Sequence, residues 1–159
     1  MTIRPITDPA SIPLTSLVLG YGPMVPLAAA AVGSWTLPAP WPAIALALAI
    51  IWGALILALL GGVRRGFGFG DPAASTTNEI VAMLLYFVPA GIALVLANFG
   101  APAPALALLI VGYGLVLILD RLAGQTGDAP PHFARLRGPQ MGLALASFAA
   151  LLVRELVQP

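Results

Sequence analysis

Apolar positions along this 159-residue chain gather into five charge-free runs, at residues 12–32, 42–63, 80–99, 104–119 and 140–153. A helix needs about 20 apolar residues to cross about 30 Å of hydrocarbon. Each run therefore predicts a transmembrane helix, the last two being short by that measure. The links between them are polar or rich in Gly and Pro. Residues 33–41 (GSWTLPAPW) form a Pro-rich link, 100–104 a tight turn, 66–78 a Gly-rich loop and 120–138 the longest polar stretch. Thr76 and Glu79 have capping-box spacing at the start of the third helix. The pattern predicts an all-α, polytopic membrane helix bundle with five transmembrane helices, built as a single domain over residues 1–159.

Composition agrees. Hydrophobic residues make up 60% of the chain and charged residues 8%, against about 25% charged in soluble domains. So few charges cannot clothe a water-facing surface. All seven basic residues are arginine, and with no cysteine there is no disulfide, thiolate metal site or cysteine nucleophile. A net charge of +1 with no long basic run argues against nucleic acid as a partner.

The arginines orient the bundle. With five crossings, Arg4, Arg64, Arg65, Arg121, Arg135 and Arg137 fall on one side and Arg154 on the other. Positive residues stay cytoplasmic, which predicts a bacterial inner-membrane protein with a cytoplasmic N-terminus and periplasmic C-terminus. Trp35 and Trp41 then lie at the outer interface. Arg4, an apolar run and four alanines at 28–31 also resemble a secretory signal, but Pro23 and Pro26 interrupt the run. An uncleaved first helix is the expectation.

Several motifs carry no function on inspection. Val111-Gly112-Tyr113-Gly114 copies most of a potassium-channel filter, yet it lies within an apolar run where backbone in lipid must be helical. Arg65-Gly66-Phe67-Gly68-Phe69 begins like an RNA-binding signature but fails at Gly70 and Pro72 and has no sheet to sit on. His132, the single histidine, reads as a solvated loop residue. No span contains a charged residue or histidine, which weighs against ion-coupled transport. No metal, cofactor or catalytic residue is expected.

Three sets of residues remain as candidates. Tyr21, Tyr86 and Tyr113 lie about 9–14 Å deep at about 1.5 Å per residue, near the breaks predicted at Pro23 and at Pro89-Ala90-Gly91. Together they are a candidate intramembrane pocket. Gly138, Gly142, Ala146 and Ala150, with Ala54, Ala58 and Gly62, are small-residue stripes that predict helix packing or contact with a partner subunit. Arg64, Arg65, Arg121, Arg135 and Arg137 form a ring at one membrane surface, a candidate site for lipid or a partner protein.

Three segments in order resemble the family of bacterial and mitochondrial proteins called domain of unknown function 3429, or transmembrane protein 69-like. They are LGYGPMVP at 19–26, LGGVRRG at 60–66 and PHFARLR at 131–137. Leu27 and Arg65 depart from that pattern, standing where the family commonly has Phe and Trp. The resemblance implies the same five-helix layout and importance for Gly61, Gly62, Arg64, Arg135 and Arg137. It implies no activity, substrate or cofactor.

The sequence thus predicts a multi-pass membrane protein that is not an enzyme. The expected role is an accessory, assembly or scaffold protein binding lipid or a larger membrane complex, as a homo-oligomer or with a membrane-protein partner. The alternative is a small carrier or channel for a neutral or anionic solute.

Overall fold

The computed structural model describes residues 14–66, 76–126 and 131–158. Within these, the side chains of 15–16, 76, 124–126 and 131–135 lie outside the described residues, Thr76, His132 and Arg135 among them. Among the described residues there is no strand. The helices are α1 (Leu14–Tyr21), a 3-10 turn (Gly22–Met24), α2 (Val25–Thr36), α3 (Trp41–Gly66), α4 (Thr76–Asn98), α5 (Pro102–Thr126) and α6 (Pro131–Val157). Five spans are long and apolar enough to cross a membrane, the first formed by the end of α1, the turn and α2.

Most helices run further than the charge-free runs predict. The fourth and fifth, expected to be short, have 25 and 27 residues. Asp120 and Arg121 continue α5, while Arg135 and Arg137 lie in the first turns of α6. A charge ends an apolar run without ending a helix, because a long polar side chain can reach the interface or a buried partner. The link expected at 120–138 shrinks accordingly, and that at 33–41 shrinks to 37–40.

The two predicted breaks differ in outcome. Pro23 sits in the 3-10 turn, where Val25 N–H bonds to Gly22 O, and Pro26 lies in the first turn of α2. The Trp52 indole N–H, from α3, donates to Pro23 O at 2.8 Å, supplying a partner to a carbonyl that lipid would leave dry. Pro89, by contrast, lies within an unbroken α4. Between α4 and α5 the chain turns at Gly100, with φ 73°. Gly100 N–H bonds to Ala97 O and Ala101 N–H to Leu96 O, the Schellman pairing that favours glycine at that position. Pro102 then opens α5.

Consecutive helices pack on each other, α6 returns to α2, and α3 also meets α5, so the spans close into a ring. Each inward face is one seam at three- and four-residue spacing. On α3 it is Leu46, Ile50, Gly53, Leu57, Leu60 and Arg64; on α5 it is Leu106, Leu109, Tyr113, Val116 and Asp120. On α6 it is Arg137, Met141, Ala144, Phe148 and Leu151, and on α4 Glu79, Ala82, Tyr86, Ala90 and Ala93.

Lipid gives helices no hydrophobic reason to associate, so close approach and hydrogen bonds hold the seams. Gly53 lies under the Phe148 ring, Gly112 under Leu57, and a Cβ on Gly61 would stand 3.1 Å from Met83 O. Phe148 and Tyr113 meet edge-to-face at 5.1 Å, and the Tyr113 hydroxyl donates to Gly53 O at 3.0 Å. Of the stripe predicted on α6, Ala150 packs against the core while its other members do not. Gly142 and Ala146 are exposed, and nothing would meet a Cβ on Gly62, Gly138 or Gly142. Rotation of the helix, fixed by the larger seam residues, sends these small ones outward.

Candidate functional site: a buried polar cluster at the arginine end

At one end of the ring the apolar seams finish in charged residues. Arg64 ends the α3 seam, Glu79 begins that of α4, Asp120 ends that of α5 and Arg137 begins that of α6. Because neighbouring helices run in opposite directions, these four residues meet at the same end. All are buried, between 4% and 9% exposed.

Asp120 is the centre. Its Oδ1 accepts the Tyr86 hydroxyl at 3.1 Å, and its Oδ2 faces Arg137 Nε at 3.1 Å. Arg64 interacts electrostatically with both Asp120 and Tyr86. A buried carboxylate persists when donors and cations surround it, and here they come from α3, α4 and α6. Glu79, in the first turn of α4, pairs with Arg65 at 3.5 Å, where a helix N-terminus also favours a carboxylate.

The predicted arginine ring therefore divides by depth. Arg64 and Arg137 turn into the bundle, Arg65 is half-buried against Glu79, and Arg121 is exposed; the Arg135 side chain lies outside the described residues. The predicted tyrosine pocket is not assembled. Tyr86 belongs to the Asp120 cluster, Tyr113 bonds to α3 backbone, and Tyr21 is half-buried near Pro23 at the end of α1. Pro89 is half-buried within α4.

Asp120, Glu79 and Gln140 escaped the sequence reading as site residues. A signal was available for Asp120. It continues the 106–109–113–116 spacing of α5, as Arg64 continues that of α3 and Arg137 precedes that of α6.

Two cavities flank the cluster. One of about 260 Å³ is bordered by Arg64, Asn78, Ala82 and Leu119. The other, about 240 Å³, lies between α1, α3 and α6 and is bordered by Gly20, Leu60, Arg137 and Gln140. At the opposite end a cavity of about 510 Å³ is bordered by Arg154, Glu155 and Gln158, and Arg154 Nε–H donates to Ser34 O at 2.5 Å. Fully buried Leu57, Leu106, Leu109, Tyr113 and Phe148 fill the core between the ends. Among the described residues no group of three His, Cys, Asp or Glu could hold a metal ion.

A family model described as a protein of unknown function (DUF3429) matches residues 12–153. No curated protein and no solved structure matches the chain.

Proposed function

The chain belongs to the DUF3429 family, and we propose that this multi-pass membrane protein is a non-catalytic accessory, assembly or scaffold protein. Its arginine end binds anionic lipid or a larger membrane complex. The observation that carries the reading is the Tyr86–Asp120–Arg137 network, which ties three helices together at the end where arginines gather. The Asp120 carboxylate is held by a hydrogen bond from Tyr86 and an ion pair with Arg137 of the same chain, an arrangement that fixes helices and charge rather than turning over a substrate. Exposed Arg121 and half-buried Arg65 then present positive charge to headgroups or to a partner's acidic residues.

The same reading puts the protein in a bacterial inner membrane, with the N-terminus and arginine end cytoplasmic and the C-terminus periplasmic, by the arginine bias. A carrier is disfavoured by the packed core between the two polar ends. The test is native mass spectrometry of the tagged protein, released gently from its own membrane. Stoichiometric recovery of another membrane subunit, or retained anionic lipid, supports the proposal. Saturable solute uptake by proteoliposomes holding the protein alone would replace it with the carrier.

A further inference from the structure

We propose that the groove between α1, α3 and α6 is a binding site for one anionic phospholipid. Its phosphodiester meets Gln140 and Arg137, and an acyl chain lies along Leu19, Leu59 and Val63. This deepens the lipid-binding arm of the function proposed above and rests on it.

Gln140 carries the argument. It is 2% exposed, and its amide nitrogen has no hydrogen-bond partner among the described residues. The same side chain borders the 240 Å³ cavity. The amide nitrogen lies against the bare Cα of Gly20, where any Cβ would collide with it. A buried donor left unmet is costly, so a group held in this place calls for an acceptor from outside the chain.

The lining says which kind. Arg137 borders the same cavity, and its pairing with Asp120 fixes where its positive charge stands. The other bordering side chains are aliphatic, and the groove opens sideways past Leu19 and Leu59, which are 76% and 59% exposed. Gln140 opens the charge-free run 140–153, three residues past Arg137, about 4.5 Å further in at 1.5 Å per residue. That is the level where phosphate and glycerol give way to acyl chains. An acceptor that is anionic, tethered to hydrocarbon and approaching from the bilayer satisfies all three features; a free anion satisfies one. Basic pockets between spans are the usual receptors for such headgroups.

The test uses the full chain in mixed micelles holding equal amounts of dioleoyl phosphatidylglycerol and dioleoyl phosphatidylcholine, read by native mass spectrometry. One phosphatidylglycerol is expected to be retained in preference. Gln140→Leu should lower that preference about tenfold. Leu59→Trp, placed on the lipid-facing side where it leaves the core intact, should block retention. Val111→Trp, on an exposed face of α5 away from the groove, and millimolar inorganic phosphate should change nothing. If preference survives both Gln140→Leu and Leu59→Trp but falls with Arg121→Ala, the groove is overturned and the general arginine-end reading stands. If the unmodified chain prefers neither lipid, the groove and the lipid-binding arm both fall. Competition by inorganic phosphate would replace the lipid with a free anion.

Discussion

The Tyr86 hydroxyl donates to Asp120 Oδ1 across 3.1 Å, joining α4 to α5 where both residues are buried. The other carboxylate oxygen faces Arg137. Asp120→Ala should therefore cost about 3–5 kcal/mol, because it removes the carboxylate paired with a buried arginine. Tyr86→Phe should cost about 1.5–3 kcal/mol, the value of one hydrogen bond to a charged group. Replacing Asp120 and Arg137 together by leucine should recover most of the loss, since an apolar pair needs no partner. Unfolding titrations in mixed micelles would measure all three. A double variant no more stable than Asp120→Ala would refute the pairing.

Glycines should divide by what lies above them. Gly53→Ala drives a methyl into the Phe148 ring and should lose about 1–3 kcal/mol. Gly142→Ala meets open space on an exposed helix face, and should be neutral or stabilise by up to about 1 kcal/mol. Thermal melts of the two variants in one detergent would decide. Equal effects would mean that α6 is rotated relative to the arrangement described.

That division also marks where the sequence was legible. Five spans could be read from apolar runs alone, and the turn at Gly22-Pro23-Met24 from its composition. Helix ends could not be read the same way, because Asp120 and Arg137 break hydropathy without breaking hydrogen bonding. Small residues at four-residue spacing pointed to packing on α6, yet rotation is set by Met141, Ala144, Phe148 and Leu151, so Gly142 and Ala146 face outward while Ala150 packs inward. The arginines could be recognised as a group. Which of them turn inward depends on the phase of each seam, visible only when the apolar spacing is carried past the last hydrophobic residue.

Trp52 should matter through its nitrogen. Trp52→Phe keeps a ring on the surface of α3 but removes the donor to Pro23 O, and should cost about 1 kcal/mol. Faster hydrogen exchange confined to residues around the 3-10 turn would accompany it. Exchange unchanged there would show that the bond does not hold the turn.

Orientation can be tested cleanly because the chain has no native cysteine. Trp41→Cys and Arg121→Cys sit at opposite ends of the bundle, both on exposed positions. With the arginine end cytoplasmic, an impermeant maleimide should label the first in spheroplasts and the second only after lysis. The reverse pattern would invert the proposed topology.

Asp120 and Arg137 lie 17 positions apart in the chain (137 − 120), on consecutive spans. During synthesis the carboxylate therefore leaves the ribosome before its arginine does. Tyr86 precedes both and is in place to receive it, but Arg137 arrives only as the last helix enters the bilayer. Insertion of α6 thus completes the charge balance of a helix already delivered, and closes the ring by bringing α6 against α2. A chain ending before residue 137 would hold this acid with Tyr86 and Arg64 but without its ion-pair partner, which gives quality control a way to tell a finished molecule from an unfinished one.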